Sequence, residues 1–223
     1  MGTRSHNQHF KTMTTFVNNS ADMPLHELIQ KFQSRIETST YFGIPTLKNP
    51  VDAWVYQEII YEKKPTVIIE VGNYHGGSAL MFAHWFDQIG HGRVIAVDIN
   101  HQRIDPQALA HPRITWIQGD GADSAELVKS LLLPEDRVMV IEDSSHHCEQ
   151  CYNVLQSYHD MVTPDQYMIV EDSICNHGLP WTPFPGPFEA IEWFLQTNHN
   201  FKSDRTKESF LLTWNPIGFL LKQ

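Results

Sequence analysis

The chain has 223 residues, a formal charge of −10, a 41% apolar share, six tryptophans and three cysteines. This size suits one α/β domain with a modest N-terminal extension, and the negative charge excludes a nucleic-acid backbone or anionic membrane as main partner. No apolar run approaches the ~18 residues of a membrane helix. The odd cysteine count and the lack of an apolar signal core set the expectation of a cytoplasmic protein.

Residues 1 to about 22 are polar, suited to mobility or to subunit contacts, and a homo-oligomer is expected. Pro24 opens a helix with Leu25, Leu28, Ile29, Phe32 and Ile36 as its apolar stripe. A non-helical link over 41–50 follows. Asn49 reads as an N-cap and Pro50 as the first helical residue ahead of 51–61. Two readings stay open for this region. It covers the sheet edge, or it forms a lid over a cofactor with Tyr41, Phe42 and Lys48 facing the site. The expected division is 1–62, tail and helical lid, and 63–223, the main domain.

The organising stretch begins at Val67, a β-branched run ending in Glu70 and Val71. Gly72, Asn73, Tyr74, Gly76, Gly77 and Ser78 then lead into a helical pattern over 79–86. A buried strand, a tight turn and a helix N-terminus bring backbone N–H groups close to a ligand. A phosphate cradle would avoid the carboxylate of Glu70, which suits a ligand that is cationic or rich in hydroxyls and amines. The spacing Glu-x-Gly-x-x-x-Gly-Gly resembles the first motif of class I S-adenosylmethionine (SAM) methyltransferases and departs from Gly-x-Gly-x-x-Gly. The next strand, 93–98, ends in Asp98, where a nucleoside-binding βαβ unit places its ribose-binding carboxylate.

A third strand over 114–118 leads to Gly119, Asp120 and Ala122, a turn that lies beside the adenine in such sheets. Asp120 is the expected acceptor from the exocyclic amine and Asp123 the expected cap of the helix 125–132. The fourth strand, 137–143, precedes a helix over 147–161, and the fifth covers 166–172. A proline-rich loop spans 178–188, with Trp181, Phe184 and Phe188 either walling an acceptor or packing the core. After a helix over 189–196, the segments 208–214 and 218–222 read as a closing antiparallel hairpin around Asn215-Pro216. The whole describes a doubly wound, Rossmann-like, seven-stranded sheet with its ligand site at the strand C-termini.

Asp143 closes strand four, His146 follows it, and Glu171 and Asp172 close strand five. Adjacent strand ends lie ~5 Å apart, so three such carboxylates repel unless a cation or a retained proton offsets them. Hard oxygen ligands suit Mg²⁺, or Mn²⁺ in its place. Such an ion can take two oxygens of a vicinal diol, and His146 is then placed to remove a proton.

These segments, with Lys48-Asn49-Pro50, Asp52, Gly76-Gly77-Ser78, Gly186-Pro187-Phe188-Glu189-Ala190 and Asn215-Pro216, resemble the cephalosporin-hydroxylase-like family. It is a branch of class I SAM-binding proteins related to metal-dependent macrolide-sugar O-methyltransferases. The resemblance covers roughly residues 40 to 222. It implies a Mg²⁺ held by Asp143, Glu171 and Asp172, and His146 as the base, although His147 beside it leaves the base ambiguous. The expected cofactor-binding set is Glu70, Gly72, Asn73, Tyr74, Gly76, Gly77, Ser78, Asp98, Gly119, Asp120, Ala122 and Asp143. The expected acceptor is a small hydroxylated molecule such as a natural-product sugar or polyketide.

Two alternatives stand beside this. Asp143, His146 and Glu171 have the ligand types of an iron(II) oxygenase. Cys148 and Cys151, with Cys175 and His177 downstream, have spacing that a structural zinc site can use, although Cys148 sits at a helix start.

Overall fold

The computed structural model describes residues 22–223; the polar N-terminal stretch assigned to subunit contacts lies outside them. Helix α1 (Leu25–Ile36) starts after Pro24 and buries Ile29 and Ile36, while Leu25 and Leu28 of the expected stripe stay exposed. A two-residue hairpin, β1 (Thr40–Tyr41) with β2 (Ile44–Pro45), leads to α2 (Pro50–Lys63). The Asn49 side chain accepts from Val51 N at 3.0 Å and Pro50 opens the helix, the start read from the sequence.

Then come β3 (Val67–Val71), α3 (Gly77–Ile89), β4 (Arg93–Asp98), the short α4 (Pro106–Leu109), β5 (Ile114–Gln118) and α5 (Ala125–Ser130). The second half holds β6 (Val138–Glu142), α6 (Cys148–Tyr158), β7 (Tyr167–Val170), α7 (Pro187–Thr197), β8 (Phe201–Ser203) and β9 (Phe219–Lys222). The main sheet runs β5-β4-β3-β6-β7-β9-β8. Pairs among the first five strands are parallel, whereas β9 is antiparallel to both β7 and β8. The order reverses at β3, so the crevice beyond the C-termini of β3, β4 and β6 is where an open α/β sheet receives a ligand.

Alternation along β3 divides the core. Val67, Ile69 and Val71 pack with α5, α6 and α7 through Val128, Leu155, Tyr158 and Phe194. Ile68 packs on the opposite face with Tyr56, Ile59, Phe82 and Phe86 of α2 and α3. Each such side chain, removed from water, contributes roughly 1.5–3 kcal/mol. Helix α2 is therefore part of the core, whereas α1 packs in a separate cluster off the sheet.

The closing hairpin differs from expectation. The partner of β9 is Phe201–Ser203, and the apolar stretch over 208–214 is not a strand. Leu211 is left-handed (φ 65°) and 98% exposed, which no paired strand permits. The segment is drawn off the sheet by a buried polar knot. Asp52 accepts from Thr213 Oγ1 at 2.6 Å and from Trp214 N at 2.7 Å, and Asn215 Nδ2 donates to the Tyr56 hydroxyl at 2.6 Å. Among the described residues, no helix is long and apolar enough to cross a membrane.

Candidate active site

The loop after β3 is shaped by contacts that only glycine tolerates. Gly72 has φ 92°, and a Cβ there would lie 1.9 Å from the Asp143 carbonyl oxygen, because the ends of β3 and β6 abut. At Gly77 a Cβ would lie 1.8 Å from Thr46 Oγ1, so the link after β2 rests directly on the N-terminus of α3. Asp98, at the end of β4, holds this loop in place. Its Oδ2 accepts from Asn73 N at 2.7 Å and Tyr74 N at 3.0 Å, and its Oδ1 from Asn100 N at 2.8 Å.

Glu70 is fully buried. One of its oxygens accepts from Asn73 Nδ2 at 2.7 Å, while Oε1 lies 3.5 Å from Lys48 Nζ and has no hydrogen bond among the described residues. Asn73 Oδ1 is likewise buried without a partner among the described residues. Burial raises the Glu70 pKa, and Lys48 opposes the rise. Unsatisfied acceptors beside a cavity fit a ligand that brings donors, such as an amine.

The second group lies where β6 and β7 end. Asp172 adopts a left-handed backbone (φ 55°), with its N–H donated to Asn215 Oδ1 at 3.0 Å. This turns it into the cavity while Glu171 points inward. Asp143, His146 and Asp172 present one ligand atom each, all within 4.8 Å of one another, close enough for one divalent ion to be shared among them. Glu171, expected as a third oxygen ligand, is not in that group. Its Oε1 lies 2.5 Å from Lys48 Nζ, which also lies 2.6 Å from Asp143 Oδ2. Burial and the Asp143 charge push Glu171 well above the usual carboxylate range, and Lys48 opposes this. One ammonium thus faces three carboxylates, and the excess negative charge calls for a further cation or proton.

His146 Nε2 lies 3.0 Å from Asp172 Oδ2 and its Nδ1 lies 3.8 Å from Cys175 Sγ. Burial disfavours its charge, but the Asp172 and Cys175 hydrogen bonds with the Asp172 and Asp143 charges outweigh it, pushing the pKa up to about 11. This environment favours the protonated imidazole. Trp181 flanks it, ring centroids 5.0 Å apart.

Asn73 on the β3 side and the Asp143–His146–Asp172 group face one cavity of about 830 Å³, within the roughly 300–1,000 Å³ of small-molecule sites, with Glu70 and Glu171 buried behind it. Gly72, Asn73, Tyr74, Gly77, Ser78, Asp98, Asp143, His146 and Asp172 line it. Of the expected cofactor-binding set, Glu70, Gly76, Gly119, Asp120 and Ala122 do not. The Asp120 carboxylate accepts from Ala122 N at 3.0 Å and Asp123 N at 3.3 Å. Asp123 makes no cap: the turn lies ahead of α5, so Asp120 satisfies its amides and Ser124 takes the N-cap position without a side-chain bond. Of the three residues expected on a lid, Lys48 reaches the cavity. Tyr41 bonds His84 Nδ1 at 3.0 Å instead, and Phe42 is 74% exposed. Trp181 lines the cavity, whereas Phe188 stacks on His177 and Phe184 faces solvent. Sequence reasoning missed Gln33, Ser34, Thr46 and Trp214, which form the far wall; the apolar stripe of α1 was the one signal pointing there.

A seven-stranded sheet in this order, with a glycine loop after β3 and acids at the ends of β4, β6 and β7, defines a class I methyltransferase. A family model described as Rhamnosyl O-methyltransferase/CmcI matches residues 33–223, and the chain belongs to that family. The rhamnosyl O-methyltransferase of Mycobacterium tuberculosis (strain ATCC 25618 / H37Rv) is 34% identical over 192 residues, covering 82% of this chain and 78% of that protein. That of Mycobacterium leprae (strain TN) is 34% identical over 194 residues, covering 83% and 84%. Among solved structures, cmcI-D160 Mg-SAM superposes with a TM-score of 0.68 at 24% identity, covering 84% of this chain and 77% of that one. CmcI-N160 apo-structure gives 0.66 at 25% identity, covering 83% and 76%. The resemblance read from the sequence is thereby borne out, and the hydroxylase alternative is not favoured. The zinc alternative gains no support: Cys148, Cys151 and Cys175 are free, buried thiols outside the metal-ligand group found among the described residues.

Proposed function

We propose that the protein transfers the methyl group of SAM to a hydroxyl of a sugar-bearing small molecule, with Mg²⁺ at the acid cluster and a vicinal diol as the group methylated. The carrying observation is that Asn73, whose Oδ1 lacks a hydrogen-bond partner among the described residues, and the Asp143–His146–Asp172 group line one cavity. The names of the relatives, rhamnosyl O-methyltransferases, and of the structure cmcI-D160 Mg-SAM support the same reading.

On this reading Glu70, Asn73 and the amides after Gly76 receive the amino-acid part of SAM, and Asp98 its ribose hydroxyls. Asp120, at the turn after β5, is the assigned adenine partner together with Gly119 and Ala122. Asp143 and Asp172 hold the ion, with Glu171 the third carboxylate implied by the family resemblance. Mg²⁺, when bound, supplies the positive charge that acidifies an alcohol. The chain positions the acceptor against Trp181, excludes water with α1, and moves one proton to His146 Nε2. Freeing the imidazole for that task requires the Asp172 charge to be engaged elsewhere. The stretch from α1 to Lys48 carries the lid role assigned to residues 1–62. A cytoplasmic homo-oligomer belongs to the same proposal, supported by three free thiols and by Trp54 and Tyr61 exposed on one face of α2.

Calorimetry with SAM, with and without Mg²⁺, tests the cofactor, and transfer of labelled methyl from SAM to an alkyl rhamnoside tests the reaction. Excess EDTA should abolish turnover and Mg²⁺ restore it. Binding of NADH in place of SAM, or full activity in chelator, would overturn the assignment.

A further inference from the structure

The carboxylates at the ends of β3, β6 and β7 already have a cation. Lys48 Nζ lies 2.6 Å from Asp143, 2.5 Å from Glu171 and 3.5 Å from Glu70, and its side chain is 6% exposed. A buried ammonium so placed makes three ion pairs at once, and its removal would leave buried charge uncompensated. Its position is set by the backbone. Thr46 rests on Gly77 and Asn49 caps α2, so the link that carries Lys48 is anchored on both sides.

We propose that Lys48 is the resident counter-ion of this site and competes with a divalent metal for Asp143 and Glu171, so that it weakens metal binding and keeps the metal-free protein folded. This rests on the reading of Asp143 and Asp172 as metal ligands. Asp143 belongs both to the ammonium's contacts and to the group with His146 and Asp172. A dication held by Asp143 therefore sits close to a fixed positive charge in a poorly solvated place, where repulsion is weakly screened. Glu171, drawn to Lys48, is withheld from the ion as long as the ammonium is there. Without Lys48 the same carboxylates face one another unpaired, and their repulsion is relieved by a bound metal or a retained proton.

The test uses the full chain and Mg²⁺ as the probe, with Lys48→Gln, which keeps hydrogen-bond donors but not the charge, and Lys48→Arg, which keeps the charge. Calorimetry should show the Mg²⁺ dissociation constant falling by at least ~10-fold in Lys48→Gln and staying near wild type in Lys48→Arg. In chelator Lys48→Gln should melt below wild type, and Mg²⁺ should raise its melting temperature more than it raises that of wild type. Unchanged or weakened Mg²⁺ affinity in Lys48→Gln overturns the proposal, as does a loss of folding that Mg²⁺ does not repair. Failure of the underlying reading looks different: wild type itself then binds no Mg²⁺, or binds it equally well after Asp143→Asn.

Discussion

Replacing Asp52 by asparagine tests a pH-sensitive feature of the fold outside the metal-ligand group. Asp52 is 3% exposed and accepts from Asn49 Nδ2 at 2.8 Å, Thr213 Oγ1 at 2.6 Å and Trp214 N at 2.7 Å. Burial pushes its pKa up to about 6, although the three hydrogen bonds pull the other way. In the unfolded chain it titrates near 3.9. The folded state therefore holds this proton more tightly, so the group's favourable contribution is complete below about pH 4 and is lost as pH rises through about 6. That interval corresponds to roughly 3 kcal/mol. An amide at this position cannot titrate and still offers an oxygen to Trp214 N. Urea unfolding followed by tryptophan fluorescence at several pH values should show wild type losing stability relative to Asp52→Asn between about pH 4 and 7, by up to roughly 3 kcal/mol. A difference that is flat across that range, or that grows in favour of wild type, refutes the reasoning.

Asp98→Ala removes both the assigned ribose partner and the anchor of the Asn73 and Tyr74 amides, so SAM affinity should fall by about 1–3 kcal/mol by calorimetry. Gly72→Ala forces a Cβ onto the Asp143 carbonyl at positive φ and should cost at least ~2 kcal/mol in chemical unfolding. His146→Ala should lower kcat by ~10²–10⁴ with SAM affinity nearly unchanged, measured by methyl transfer and calorimetry. His147→Ala should do far less, because that side chain is exposed and outside the cavity.

The five parallel strands were legible because each is a short β-branched or apolar run ending in an acid or glycine, separated by helical patterns. Asn49 and Pro50 announced α2 through local chemistry alone. The closing hairpin was not legible for two reasons. Phe201–Ser203 is too short to show alternation, and Phe210, Leu211 and Leu212 imitate a strand that the Asp52 knot pulls away. The role of Lys48 was hidden for a different reason: its carboxylate partners come from β3, β6 and β7, and no local pattern records such a meeting. The acids called for a cation or a retained proton there, and nothing local marked Lys48 as that cation. The opposite directions of Glu171 and Asp172 were hidden too, since they follow from a left-handed residue that is not glycine.

Helix α1 is attached by a satellite cluster. Ile29 and Ile36 meet Ile174, Leu179 and Trp214, and Gln33 accepts from Trp214 Nε1 at 2.6 Å, apart from the two clusters that clasp the sheet. An element held by so few buried groups opens at a lower free energy than the strands do. Its amides should exchange with solvent through a local event, while those of β3 wait for global unfolding. On the proposed lid role, lifting this one helix would admit a bulky acceptor and leave the glycine loop and its Asp98 anchor undisturbed.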